Sequence, residues 1–362
     1  MVTEAGVSGK KTFIQTALGK TIGRNWSFFF LILMVVIFAL TGPGFFEISN
    51  FQNIIHLSTT AILLAAAETF VIITGGIDLS VGFVMGLSSA LTARIMVTLT
   101  EAGLSAPGII LLGSLAGILV GLIPGFVSGL LITRFKVPPF IATLGMWGIC
   151  NGITLRICRG FFPIAGLPPR LPELGNGYIL YIHPGRSMTF FHKPAYLPET
   201  QVRELIRLVP FSFIFILVVL FILWFILRRQ KFGQHTYALG GSMDASIRSG
   251  INVNRHLVKV YMLSSFLAGL AGVFNVFQTG IGNYTTFSAM YELFAVAAVV
   301  IGGASLLGGK GRIIGSFIGV LVLAVLQNGL AISGVEPFYR YIAVGVLLTI
   351  AVAIDQLFPD LF

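Results

Sequence analysis

The sequence predicts an all-α polytopic membrane protein of about ten transmembrane helices, arranged as two related halves. Three observations predict it. Of 362 residues, 56% are apolar and only 10% charged, whereas a soluble globular chain carries roughly a quarter charged residues. Too little charge is left to solvate a soluble surface of this size. Apolar runs near 20 residues recur along the whole length, which is the length needed to cross about 30 Å of hydrocarbon. Lys and Arg gather in the short segments between those runs, as cytoplasmic loops require. An outer-membrane barrel is disfavoured, since its mark would be segments of about ten alternating residues.

Ten apolar segments follow one another at residues 27–41, 54–74, 83–99, 108–133, 140–158, 209–227, 258–279, 293–303, 313–332 and 341–358, the first and eighth being short for full spans. Residues 27–358 thus form the membrane domain, preceded by a polar, basic segment, 1–26. That segment has no short apolar core ending in a small-residue cleavage site, so it is expected to stay in the cytoplasm. Counted from an inside N-terminus, the even loops fall at 75–82, 134–136, 228–257 and 302–312. Three of these four are basic, through Arg134 and Lys136, through Arg228, Arg229, Lys231, Arg248 and Arg255, and through Lys310 and Arg312. The odd loops near Pro43, Glu101, Asn283 and Glu336 are poor in Lys and Arg. Residues 159–208 then become an external insertion, and its prolines, Pro168, Pro169, Pro172, Pro184, Pro194 and Pro198 among them, argue against a hidden helix there.

Within the fourth segment Gly113, Gly117, Gly121, Gly125 and Gly129 lie on one helical stripe, with a shorter version at Gly311, Gly315 and Gly319. Such stripes let helices approach closely in lipid, so both are read as packing. The stretches GGIDLSVG (75–82) and GGASLLGG (302–309) share the pattern GGxxLxxG, a faint echo of the kind that two related halves leave in transporters.

The stretch ITGGIDLSVG (73–82) interrupts an apolar helix with two glycines and then offers Asp78 and Ser80. An acid at membrane depth is functional by default; at a turn, the same pair could instead cap the next helix. Further polar residues inside apolar segments are candidates for lining a path: Glu68, Arg94, Thr143, Asn151, Asn275, Gln278, Gln327 and Asn328. Amides suit hydroxyl-rich solutes because they both donate and accept, but they also bind helices to one another. Arg94 could equally snorkel to the outer surface. Asp78, Ser80, Asn151, Asn275, Gln278 and Asn328 are taken as the translocation set.

The stretch YALGGSMDASIRSGINVNR (237–255) lies in the longest cytoplasmic loop. Residues 242–249 form a short amphipathic stretch between Gly241 and Gly250, with Asp244 near its start and Arg248 near its end, each placed to suit a helix dipole. A rigid helix between glycine hinges suits docking to a soluble partner.

Other chemistry is not expected. There is no GxxxxGK[ST], hence no P-loop for hydrolysing ATP, and no HExxH, CxxC or GxSxG. Cys150 and Cys158 read as small buried hydrophobes. His56, His183, His192, His235 and His256 are scattered and suggest no metal site. The net charge of +10 would raise nucleic acid as a partner in a soluble protein; here it is accounted for by the cytoplasmic loops. No catalytic residue, metal or cofactor is expected.

Four ordered stretches, 73–82, 137–154 (VPPFIATLGMWGICNGIT), 237–255 and 291–319 (YELFAVAAVVIGGASLLGGKGRIIGSFIG), resemble the ribose-type monosaccharide permeases of bacterial ABC importers. The resemblance covers about residues 54–355. It implies a bacterial inner-membrane permease that pairs with a second permease copy, two ATP-binding subunits on the cytoplasmic face and an external binding protein that delivers the solute. Under it Gly240, Gly241, Asp244, Ala245, Arg248, Gly250 and Ile251 contact the ATPase. Ser242 stands where the family often has Asn, a mild departure. The alternatives are a permease for a nucleoside or another small polar solute, a stand-alone secondary transporter using Glu68, Asp78 and Arg94, and a membrane scaffold for other subunits.

Overall fold

A computed structural model of the chain describes residues 25–184, 186–194, 205–282 and 290–357. All but the last two residues of the N-terminal segment 1–26 lie outside them. Each of the ten apolar segments falls on a helix: α1 (Trp26–Thr41), α2 (Ile48–Ile73), α3 (Val81–Glu101), α4 (Ala106–Arg134), α5 (Pro139–Ile157), α7 (Phe211–Arg229), α10 (Val253–Thr279), α11 (Tyr291–Ile301), α12 (Ile313–Ile332) and α13 (Pro337–Leu357). Seven of these are long and apolar enough to cross a membrane: α2, α3, α4, α5, α7, α10 and α12. The other three carry shorter apolar stretches. The protein is mostly helical and multi-pass.

Two helices start five or more residues earlier than hydropathy alone suggests. The expected start of α2 at residue 54 moves to Ile48, because its first turns carry Ser49, Asn50 and Gln52, which a hydropathy reading discards. α10 begins at Val253 rather than 258. The Asn252 side chain accepts the Arg255 N–H at 3.0 Å and so caps a polar first turn.

The all-α expectation needs one correction. Within 159–208 the chain forms a six-residue helix, α6 (Leu171–Asn176), and then an antiparallel sheet of β1 (Tyr178–His183), β2 (Ser187–Phe190) and β3 (Ile206–Pro210) in the order β2-β1-β3. Tyr181 faces Thr189 on one side and Arg207 on the other. Prolines exclude a long helix there, while the β-branched and aromatic content of YILYIH suits a pleated surface. Arg207 lies over the Tyr178 ring, 5.2 Å from its centroid.

Burial sorts the helices into layers. The most apolar stretches of α2, α3 and α10 are 78, 72 and 67% buried, against 33, 28 and 22% for α4, α5 and α7. The first three are therefore the centre. The others turn large apolar side chains outward, among them Leu111, Leu115 and Leu119 of α4 and Phe221 and Ile222 of α7.

The glycine stripe of α4 is the seam that joins it to the centre. A Cβ on Gly121 would stand 2.8 Å from the Gly269 Cα of α10, and one on Gly125 would overlap the Tyr261 carbonyl. Gly113 and Gly117 make the same room for Met96 and Thr92 of α3. On α12, Gly315 and Gly319 meet the backbone of Gly302 and Ala298.

The connections separate to two ends of the bundle. At one end the turn after α2 meets the turn between α11 and α12, where Gly309 N–H donates to the Ile73 carbonyl at 2.8 Å. At the opposite end α6 is tied down by Asn176 Nδ2, which donates to the Gln278 carbonyl at 2.8 Å, and by a short contact between the Asn176 amide oxygen and the His56 ring. Ile164 and Gly282 bridge at that end too.

The seam predicts a contrast. Gly125→Leu should destabilise the protein by about 1–3 kcal/mol or more, as overpacking does. Gly152→Ala, where a Cβ meets nothing within 4 Å, should be neutral. Melting of the detergent-solubilised variants, followed by size-exclusion profile, checks both; equal behaviour would refute the seam.

Candidate functional site

α2 ends in a turn that only glycine permits. Gly75 has φ +80°, a left-handed conformation that side chains resist. Gly76 lies where a Cβ would come 2.5 Å from the Tyr261 hydroxyl. The chain therefore folds back between α2 and α10 and carries Asp78 to a fully buried position.

There the carboxylate is held from three sides. Oδ1 accepts the Ser80 N–H at 3.0 Å and the Ser80 hydroxyl at 2.5 Å, while Oδ2 accepts the Ser264 hydroxyl of α10 at 2.9 Å. The Asp78 N–H points to Glu68 Oε2 of α2 at 3.4 Å. The two sequence readings of Asp78 meet in this arrangement. It fixes Ser80 at the start of α3, as a cap does, yet it does so inside the bundle. Ser80 occupies the N-cap position but its side chain makes no cap bond, because its hydroxyl is given to Asp78. Glu68 Oε1 and the Tyr261 hydroxyl, both buried, have no hydrogen-bond partner among the described residues.

The remaining members of the translocation set stand apart from this cluster. Asn151 and Asn275 are half-buried, each with an Oδ1 that is unpaired among the described residues. Gln278 gives its amide to the His56 carbonyl at 2.7 Å and so fastens α10 to α2 at the insertion end. Asn328, with Gln327, lines a cavity between α2, α11, α12 and α13. Thr143 reaches the Ile77 carbonyl at 3.3 Å. Arg94 is half-buried and donates to the Ile157 carbonyl at the last turn of α5, at 2.8 Å.

Three residues were not singled out from the sequence. Ser264 and Tyr261 sit in an apolar run, where hydroxyls read as packing. Glu292 is buried in the first turn of α11, in room left by Gly82. It is the single acid of the run YELFAVAAVV, and an acid at a helix start is favourable; that was its signal.

The second site is the segment after α7. A helix not foreseen in the sequence, α8 (Lys231–Gly241), leads into α9 (Met243–Arg248). The Ser242 side chain accepts the Ala245 N–H at 3.3 Å, and Gly250 closes α9 at φ +81°. Gly241, Asp244, Ala245, Arg248 and Gly250 are exposed, with Met243 and Ile247 exposed as apolar points beside them. Ile251 is half-buried against Leu239, Val253 and Leu257. Gly240 is the inward member: a Cβ there would overlap the Ile73 carbonyl and the Gly309 N–H. Tyr237 donates to the Gly311 carbonyl at 2.7 Å, and Thr236 bonds His256 of α10 at 2.9 Å. Burial raises the Tyr237 pKa, with Arg228 and Arg312 acting the other way, so the phenol stays a neutral donor. α8 is thus pinned where the two glycine turns meet, and α9 projects from that junction.

Residues 50–352 match the family described as the permease component of branched-chain amino acid transport systems. The chain is 37% identical over 328 residues to the ribose import permease protein RbsC of Bacillus subtilis (strain 168), covering 90% of each chain. The chain belongs to the ribose-type permease family of ABC importers. Within that family it is also 33% identical over 332 residues to the D-allose transport system permease protein AlsC of Escherichia coli (strain K12), covering 91% of each chain. It is 33% identical over 328 residues to the fructose import permease protein FrcC of Rhizobium meliloti, covering 90% of this chain and 83% of that one. No solved structure matches the chain. Members of this family are transport subunits and not catalysts.

Because Asp78 serves as an acceptor for three donors, Asp78→Val should leave buried donors unpaired at about 1–3 kcal/mol each, and folded yield should collapse. Asp78→Asn keeps an acceptor toward Ser80 and should fold. If Asp78→Asn folds as poorly as Asp78→Val in a size-exclusion assay, the anchoring role is wrong.

Proposed function

We propose that this chain is the membrane-spanning permease subunit of an ATP-driven ABC importer, which translocates a monosaccharide or sugar-like solute delivered by an external binding protein. The observation that carries this is identity of 33–37% along about nine-tenths of the chain to permeases named for ribose, D-allose and fructose. The chain does no covalent chemistry; two ATP-binding subunits supply the energy, and a second permease copy completes the path. The protein sits in the bacterial inner membrane with residues 1–26 and 228–257 in the cytoplasm and 159–208 outside.

In this reading the end of the bundle bearing α8 and α9 faces the cytoplasm, and the β-sheet end receives the binding protein. The basic content of 228–257 supports that orientation. α9 is the coupling helix, and Gly241, Asp244, Ala245, Arg248 and Gly250 form its contact with the ATPase, with Gly240 and Ile251 anchoring it from behind. A nucleotide can shift the permease only through contacts that differ between two states. An exposed helix held at a junction of three backbones offers such contacts.

The test uses the complete complex in proteoliposomes. Met243→Glu combined with Ile247→Glu removes the exposed apolar points of α9 without touching the bundle. ATP-driven sugar uptake should fall at least about tenfold, the equivalent of about 1.4 kcal/mol of coupling, while the permease stays folded. Uptake and sugar-stimulated ATP hydrolysis at unchanged rates would refute the coupling assignment. Proton-driven uptake by the permease alone would favour a secondary transporter instead.

A further inference from the structure

A second cavity, of about 420 Å³, lies between α1, α7 and α12 at the end of the bundle that bears α8 and α9. Its mouth is polar. Arg228 stands in the last turn of α7, Arg312 at the N-cap position of α12, and Asn25 and Ser27 at the start of α1. Its inner wall is apolar and includes Phe28, Trp224 and Ile318. Trp224 lies one turn deeper in the bundle than Arg228. Ile318 lies about 7–8 Å deeper than Ile313, at ~1.5 Å per residue.

Two guanidiniums border this one space. Both also act on one phenol: burial raises the Tyr237 pKa, and Arg228 and Arg312 oppose it, as nearby cations do. Among the described residues no Asp or Glu lines the cavity. The chain that leads into α1 adds no balancing charge, since residues 1–24 set Lys10, Lys11, Lys20 and Arg24 against Glu4 alone. Arg at a helix end ordinarily reaches past the lipid into water. Two that border one cavity, with no acid between them, call for an anion.

The rest of the lining narrows its class. A guanidinium pairs with a phosphate through two parallel hydrogen bonds. A soluble anion would leave the apolar wall unused, and a purely apolar occupant would leave the guanidiniums unmet. A phospholipid carries both parts in one molecule. Beyond the cavity Phe28, Phe29 and Ile32 of α1 and Phe221, Ile222 and Phe225 of α7 are exposed, an apolar surface on which acyl chains can lie. Trp224 sits where membrane proteins place tryptophan, at the level of the headgroups. Basic pockets between helices suit anionic headgroups.

We propose that this cavity seats the phosphate of one anionic glycerophospholipid, held by Arg228 and Arg312, with its acyl chains on the apolar faces of α1 and α7. The lipid comes from the leaflet at the α8–α9 end. It joins α1 and α7 to α12 beside the turn where Tyr237 donates to the Gly311 carbonyl, and so steadies the junction from which α9 projects. The inference needs a membrane-spanning chain only and is independent of which solute is carried.

The experiment uses the full-length permease in a neutral maltoside detergent, titrated separately with dioleoylphosphatidylglycerol and dioleoylphosphatidylcholine. Native mass spectrometry counts the lipid retained, and a thermal ramp reads the melting temperature. One phosphatidylglycerol per chain should be held at least about tenfold more tightly than phosphatidylcholine, as two interfacial cations imply, and it should raise the melting temperature. Arg228→Gln with Arg312→Gln should abolish that preference; both side chains are exposed, so their loss leaves the bundle intact. Arg229→Gln with Lys231→Gln removes the same charge from exposed positions outside the cavity and should leave the preference in place. Equal retention of the two lipids by the wild-type chain overturns the site without any variant. Equal loss in the two double variants overturns it as well, since surface charge alone would then account for binding. Displacement of the lipid by inorganic phosphate at equal concentration assigns the cavity to a soluble anion instead. A first double variant that changes oligomeric state while keeping its lipid assigns the cavity to a second copy of the chain.

Discussion

A buried backbone amide has no water to turn to, so where a helix breaks inside a bundle its polar groups must find partners within the protein. The turn after α2 is the break on which this structure depends. Its contact with the turn between α11 and α12 is made by backbone, through the 2.8 Å bond from Gly309 N–H to the Ile73 carbonyl. That bond forms because Gly75, Gly308 and Gly309 adopt left-handed conformations and Gly240 presents no side chain to the same spot. Three segments far apart in the chain meet there as bare backbone. The arrangement leaves no slack: any side chain at Gly240 would push α8 off both turns at once.

From that junction the chain re-enters the bundle, and Asp78 follows as a consequence. Once Gly76 has let the backbone pass beneath the Tyr261 hydroxyl, an acid in the next positions has to be satisfied from within. Ser80 and Ser264 do so, and in doing so they tie the start of α3 to α10. The carboxylate is better described as a staple between central helices than as a group facing a path in this conformation. A buried acid is costly unless it is hydrogen-bonded, and the bonds that satisfy Asp78 also hold the start of α3 against α10.

Hydropathy made the membrane architecture legible almost throughout, because the spacing of apolar runs survives any detail of packing. The two glycine stripes were legible for the same reason: small residues at helical spacing have few uses in lipid other than close approach. The sheet in the insertion was not foreseen, since the prolines said only what could not form there. α8 was missed because KFGQHTYALGG has three glycines, and what holds it as a helix is tertiary: Tyr237 on Gly311, Thr236 on His256, Gly240 at the junction. Among the amides, sequence could mark Asn328 and Gln278 as polar in apolar surroundings but not tell them apart. Their difference is one of position. Gln278 has a carbonyl within reach and spends its amide on it, whereas Asn328 borders a cavity and its buried oxygen finds no partner among the described residues.

The elements that meet at the junction are the ones that wall the cavity lined by Gln327 and Asn328. α2 ends there and runs about 20 Å, at ~1.5 Å per residue, to the level of Ser58. α11 ends there at Gly302, and its far end places Phe294 and Tyr291 on the cavity wall; α12 starts just beyond Gly311 and carries Gln327 and Asn328 some four turns away. Helices of this length transmit a displacement of one end to the other with little loss, because packed interiors resist compression. A push on α9 would therefore reach the junction through Gly240 and act on three cavity walls together rather than on any one side chain. α13, which supplies Arg340, ends at the junction's side of the bundle only after crossing back, so it is the wall against which the other three would move. The physical link between α9 and the cavity is then a shared set of rigid elements with one glycine-lined contact, which is why the sequence spends so many glycines on so small a region.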